Sequence, residues 1–149
     1  MITILFICEH NSARSQMAEA YLNHFGGDRL RAESAGLEPG TLNPYVVEVL
    51  AEDGLDISAK VPQSVFQLYN QGRRYDAVIA VCSPAAAGNC PIFPGRVKRW
   101  SWPFPDPSRL HGDRELRLAE TRAVRDAIKE KIRSFVAEFE EKGVKLFIE

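Results

Sequence analysis

An apolar run extends from Ile2 to Ile7, a second from Tyr75 to Val81, and a third, shorter and mixed, from Val97 to Trp102. Runs of this length separated by helically spaced segments point to strands buried on both faces of an α/β sheet. Between the first two runs the pattern predicts a helix opening near Ser12 and ending near Gly26 and Gly27, then a strand around Arg31 to Ala35. A second helix follows, with Asn43 as N-cap, Pro44 at its first position and Gly54 just past its end. A shorter one after Pro62 includes Val65, Phe66 and Leu68.

From Asp113 to Lys142, apolar residues such as Leu116, Val124, Ile128, Ile132, Phe135 and Phe139 recur on one stripe of a long amphipathic helix, which Gly143 stops. The apolar tail Val144 to Ile148 is open to three fates: an edge strand, packing on the body, or contact with another subunit. Four strands separated by helices predict an open, mainly parallel α/β sheet with helices on both faces, in one domain over residues 1–149. Ligands of such sheets bind outside the carboxyl ends of the strands. Cys8 directly follows the first strand, Cys82 directly follows Val81, and Asp106 comes shortly after Trp102, so all three are expected on that rim.

Composition narrows the functions without choosing one. The 149 residues, 45% hydrophobic and 26% charged, suit a single globular core. Net charge is −1 with basic residues scattered, so nucleic acid is not an expected partner and any anion site must be local. No apolar stretch approaches a membrane span, and the first residues lack a basic leader pattern; a cytoplasmic protein that does not engage membranes is expected. Three cysteines argue against a static disulfide framework and leave metal binding, redox chemistry, nucleophilic catalysis or burial.

The strongest chemical signal is Cys8-Glu9-His10-Asn11-Ser12-Ala13-Arg14-Ser15. Consecutive backbone N–H groups at a strand-to-helix turn can curl around the oxygens of a phosphate-like ion, and the helix N-terminus favours both that ion and a thiolate. Arg14 can fork onto two oxygens and Ser15 can donate a hydrogen bond to the sulfur. Asn11 can hold an unusual backbone conformation, Ser12 can order the loop, and His10 is expected to shape the loop rather than shuttle protons. Taken singly, a strand-end cysteine and an arginine six residues on would be a buried thiol and a surface cation. The surrounding residues favour an active loop.

These residues carry a resemblance. The stretch Cys8 to Ala20, CEHNSARSQMAEA, resembles the signature of arsenate reductases built on the low-molecular-weight protein tyrosine phosphatase fold. The similarity continues through Glu33-Ser34-Ala35-Gly36, Asn43-Pro44, Asp56-Ile57-Ser58, the Cys82 to Cys90 loop and Asp106-Pro107. The resemblance implies Cys8 as nucleophile, residues 9–15 as the oxyanion cradle and Asp106 as general acid. Phosphate or sulfate should mimic the arsenate substrate. Trp100, Trp102 and Phe104 precede Asp106 and suggest an apolar setting of the kind that favours a proton-donating carboxyl.

Cys82 and Cys90 end a segment of small residues. Their spacing offers neither a close cysteine pair nor histidine partners, so no metal is expected. Were residues 83–89 helical, the two Cα atoms would stand roughly 12 Å apart, beyond the limit of about 7 Å for a disulfide, and bonding would require unwinding. The resemblance implies a relay in which Cys82 attacks the Cys8 adduct, Cys90 then takes the disulfide as Cys82 to Cys90, and thioredoxin or another thiol reductant restores it, with no cofactor. Related sequences often carry six residues between these cysteines, and this one carries seven.

Glu19, Ser34 and Asn11 match positions that hold potassium in some related reductases, but Val61-Pro62-Gln63 stands where those carry a further acidic ligand, so the ion is not assumed. Glu19 on a solvated helix face is the alternative. Two other functions compete with arsenate reduction: a phosphotyrosine phosphatase using a phospho-Cys8 intermediate, and an oxyanion-binding or redox-sensing module without turnover. Against the phosphatase stand Ala13, where such enzymes commonly have a second cysteine, and Ser108, where many have tyrosine.

Overall fold

The first apolar run becomes the centre of the molecule. In the computed structural model, which describes residues 1–109 and 111–148, β1 (Ile2–Cys8) has Ile4, Leu5, Phe6 and Ile7 all at 1% exposure or less. β1 pairs in parallel with β2 (Leu30–Gly36) on one side and β3 (Ala77–Ala80) on the other. β4 (Lys98–Ser101) pairs in parallel with β3, giving the order β2-β1-β3-β4. The expected mainly parallel sheet is wholly parallel among the described residues. The chain leaves β1 for one side and returns to β3 on the other, so the carboxyl ends of β1 and β3 flank the point where strand order reverses. A crevice forms there by topology alone.

Helices begin where polar caps are placed. Asn43 Oδ1 accepts from the Tyr45 N–H at 2.9 Å and opens α2 (Pro44–Ala51). Ser64 Oγ caps α3 (Val65–Asn70), Ser83 Oγ caps α4 (Pro84–Ala87), and Asp113 Oδ1 accepts from Leu116 N–H at 2.8 Å to open α5 (Arg114–Lys142). These side-chain oxygens satisfy N–H groups that have no partner within the helix. α1 (Arg14–Phe25) differs: its N-cap, Ala13, makes no side-chain hydrogen bond. α1 packs on β1, β2 and α5, and α2 packs on α5.

The tail takes the second of its three fates. α5 ends at Gly143, whose φ of 60° suits glycine, and α6 (Lys145–Ile148) folds back on the body. The Phe147 ring lies 5.7 Å from Trp100, 6.0 Å from Phe135 and 5.8 Å from Phe139. Among the described residues no helix is long and apolar enough to cross a membrane.

Candidate active site

β1 delivers Cys8 to the rim at 3% exposure, and the chain then turns through residues 9–13 into α1. Ser15 Oγ stands 2.9 Å from Cys8 Sγ, and the Asn11 N–H donates to the same sulfur at 3.2 Å. The turn needs a left-handed residue, and Asn11 supplies it at φ 53°. Its side chain is held from every side. Nδ2 donates to Ser15 Oγ at 2.7 Å and to Ser34 Oγ at 2.9 Å, while Oδ1 accepts from Gln63 N–H at 3.0 Å and Gln16 Nε2 at 3.2 Å. A backbone N–H can only donate, so Gln63 fixes which end of the amide is oxygen. Because no side chain caps α1, the positive end of its dipole faces the loop that the oxyanion would fill.

Arg14 and Asp106 meet across this loop. Arg14, 6% exposed, donates from Nη1 to the Phe104 carbonyl at 3.1 Å, and its Nη2 lies 3.6 Å from Asp106 Oδ2. Asp106 Oδ1 accepts from Ser108 N–H at 2.9 Å, Asn43 Nδ2 donates to Ser108 Oγ at 2.9 Å, and Asn43 N–H donates to the Ser12 carbonyl at 3.0 Å. The acid is thus tied back to the loop it would serve. The aromatic setting expected around it is different in kind. Trp100 and Trp102 pack against Phe135, and the group facing the carboxylate is the Arg14 guanidinium. His10 Nδ1 lies 2.8 Å from the Glu38 carbonyl, and Glu9 accepts from Glu38 N–H through its own carbonyl at 2.8 Å; both shape the outer wall.

The second thiol lies on the neighbouring strand end. Val81 N–H donates to the Ile7 carbonyl at 2.9 Å, which carries the β1–β3 pairing up to Cys8 and Cys82. Cys82 is fully buried; burial pushes its thiol up, nearby Cys8 adds to the rise and Arg14 opposes it. Cys90 is pushed up to about 11 by burial, with Arg99 opposing. It borders a cavity of about 220 Å³ lined also by Ile7, Ala87, Arg99 and Trp100. Helix does not fill residues 83–89. α4 is a single turn, after which Asn89 N–H and Cys90 N–H bond to the Ala86 and Ala87 carbonyls, each at 3.1 Å, in tighter turns. All three cysteines are free thiols.

Several supporting residues escape a local reading. A Cβ on Gly36 would lie 2.7 Å from the Asn11 backbone nitrogen, so glycine is required for β2 to approach the loop. Gln63 braces the site twice, through its N–H to Asn11 and through Nε2 to the Ser34 carbonyl at 2.9 Å. Glu19 is not on a solvated face: it is 7% exposed and accepts from Ser34 Oγ at 3.0 Å. Nothing local in the sequence hints at these contacts, because the partners come from distant parts of the chain.

A cysteine at a strand end, cradled by a helix N-terminus and faced by arginine and aspartate, is an arrangement able to hold a tetrahedral oxyanion against a thiol. Residues 3–145 match the low molecular weight phosphotyrosine protein phosphatase family, and the chain belongs to that family. The curated relatives it resembles carry a narrower name. An arsenate reductase of Bacillus licheniformis is 41% identical over 135 residues, covering 89% of this chain and 94% of that one. One from Bacillus subtilis is 38% identical, covering 89% and 93%. Among solved structures, an arsenate reductase in its reduced state matches with a TM-score of 0.76 at 28% identity, covering 93% of this chain and 99% of that one. A Corynebacterium glutamicum thioredoxin-dependent arsenate reductase matches at 0.73 and 28%, covering 95% of this chain and 63% of that one.

Proposed function

We propose that this protein reduces arsenate to arsenite through a relay of Cys8, Cys82 and Cys90, with thioredoxin or a comparable dithiol as reductant. The observation that carries this reading is the placement of two free thiols, Cys8 and Cys82, at the adjacent carboxyl ends of β1 and β3. A hydrolytic pocket needs only the first. The arsenate reductases among its relatives support the substrate.

In the proposed sequence the loop N–H groups and Arg14 hold three oxygens of arsenate while Cys8 Sγ attacks arsenic. One oxygen leaves as water, with Asp106 supplying a proton. Cys82 Sγ then attacks Cys8 Sγ. The electron pair of the sulfur–arsenic bond stays on arsenic, which leaves as arsenite, and a Cys8–Cys82 disulfide remains. Cys90 thiolate next attacks Cys82 Sγ and expels Cys8 as thiolate, giving Cys82–Cys90. The single turn of α4 and the turns after it must open for this bond. A dithiol reductant closes the cycle by two further exchanges.

The test is NADPH consumption with arsenate, thioredoxin and thioredoxin reductase. Cys8→Ser abolishes it; Cys82→Ser abolishes repeated turnover but leaves any weak hydrolysis of aryl phosphates. Fast hydrolysis of a phosphotyrosine peptide, with no arsenate turnover on any thiol donor, overturns the reading in favour of the phosphatase. Saturable phosphate binding with neither activity marks a binding module.

A further inference from the structure

Beneath the oxyanion loop, a hydrogen-bonded chain runs from the nucleophile to a cation supplied by the protein. Cys8 Sγ contacts Ser15 Oγ, Asn11 Nδ2 donates to both Ser15 Oγ and Ser34 Oγ, and Ser34 Oγ donates to Glu19 Oε1. The other carboxylate oxygen, Glu19 Oε2, lies 2.5 Å from Lys60 Nζ. The Glu19 side chain is 9% exposed and that of Lys60 is 42% exposed, so a surface ammonium reaches inward to a buried carboxylate. Lys60 is aimed by a tight turn: its N–H donates to the Ile57 carbonyl at 2.9 Å, and Asp56 Oδ1 accepts from both the N–H and hydroxyl of Ser58.

The same residues suit a monovalent metal ion poorly. Such an ion needs oxygens turned towards it. Asn11 presents Nδ2, not oxygen, to Ser34, and its Oδ1 already accepts from Gln63 and Gln16. Ser34 Oγ accepts from Asn11 while donating to Glu19. Lys60 occupies the carboxylate that ends this series of hydrogen bonds, and Gln63 contributes donors where a further acid would be required. Among the described residues there is no cluster of three or more histidine, cysteine, aspartate or glutamate side chains able to hold a metal.

We propose that Lys60 is a positioning residue for the oxyanion loop, a tethered cation that acts through Glu19, Ser34 and Asn11 and makes the site independent of bound potassium. A buried carboxylate without a counter-cation would draw the Ser34 and Asn11 donors towards itself and away from the loop. With the ammonium in place, Glu19 takes one hydrogen bond from Ser34, and Asn11 remains shared between Ser34 and Ser15. The inference rests on reading the loop as an oxyanion site and is indifferent to whether arsenate is the substrate.

The experiment uses the full chain with inorganic phosphate as probe, titrated calorimetrically in potassium, sodium or tetramethylammonium chloride at equal ionic strength, with thermal unfolding as the folding control. The parent chain and Lys60→Arg bind phosphate equally in all three salts. Lys60→Met binds about tenfold more weakly in all three salts, because the pocket lacks the oxygen ligands with which potassium could replace the ammonium. Lys60→Gln carries the same comparison if Lys60→Met is too unstable to titrate. Potassium-specific tightening in the parent chain overturns the proposal. So does parent-like affinity of Lys60→Met in tetramethylammonium chloride, or restoration of its affinity by potassium.

Discussion

Ser15 Oγ and Cys8 Sγ stand 2.9 Å apart, and the same hydroxyl accepts from Asn11 Nδ2; towards a Cys8 thiolate, which has no proton to give, the hydroxyl can only donate. The hydroxyl is therefore placed to stabilise the thiolate form of Cys8. Ser15→Ala is expected to lower the rate of Cys8 alkylation and of arsenate reduction by about 10- to 100-fold, with the chain still folded. Stopped-flow alkylation and steady-state turnover check it; an unchanged alkylation rate would show that the contact is merely packing.

Asp106 is held by Ser108 and faces Arg14. Asp106→Asn keeps the shape and removes the proton donor. Turnover should fall by about 100-fold or more, whereas phosphate affinity should hold or rise, because Arg14 loses its competing partner. Comparing kcat with phosphate affinity by calorimetry separates the two effects.

Gly36 leaves no room for a side chain against Asn11. Gly36→Ala should displace the loop, cost about 1–3 kcal/mol of stability, and abolish phosphate binding. Chemical denaturation and phosphate titration of the same variant measure both.

The Cys90 thiol, pushed up to about 11 by burial, is about one thousandth thiolate at pH 8 while the segment stays closed. Mass-spectrometric mapping after iodoacetamide treatment should find Cys90 labelled slowly in the reduced protein. Labelling should accelerate as pH rises towards 11, and also at pH 8 once arsenate has driven formation of the Cys8–Cys82 disulfide. Fast labelling of reduced protein at pH 8 would contradict a closed segment around this half-buried thiol.

Glu52 accepts hydrogen bonds from Arg122 and Arg125, clasping the end of α2 to α5, and its carboxyl is lowered to about 2. A lowered carboxyl stabilises the folded state fully above its ordinary value near 4.5 and loses that contribution as pH falls towards 2. Since the clasp is partly exposed, Glu52→Gln should lower Tm by only about 2 °C at pH 7. The difference from the parent chain should shrink between pH 4.5 and pH 2.

What could be read in the sequence was local. Asn43-Pro44 announces a helix start, Gly143 a helix end, and Cys8 to Ser15 a strand-to-helix anion loop, because each depends on residues a few positions apart. The strand alternation also placed Cys8, Cys82 and Asp106 on one rim. Contacts set by tertiary folding were hidden. Gln63 braces Asn11 across 52 positions, and Arg14 finds the Phe104 carbonyl across 90. The solvated face that remained the alternative for Glu19 could not be dismissed from sequence, because nothing near it in the chain reveals that Ser34 and Lys60 cover it. The aromatic run before Asp106 misled for the same reason: Trp100 and Trp102 belong to the packing of α5 and α6, and Arg14 is the neighbour that the carboxylate meets.

The adjacency of Cys8 and Cys82 is maintained by backbone hydrogen bonds between β1 and β3, not by the path of the chain between them. The intervening length is topologically a detour. Loops along it, such as the turn at Gly54, can be lengthened or cut open and the old ends rejoined elsewhere without separating the two sulfurs. In the proposed relay, the gap between the two sulfurs is thus set by the sheet itself, whatever the length of the excursion between its strands.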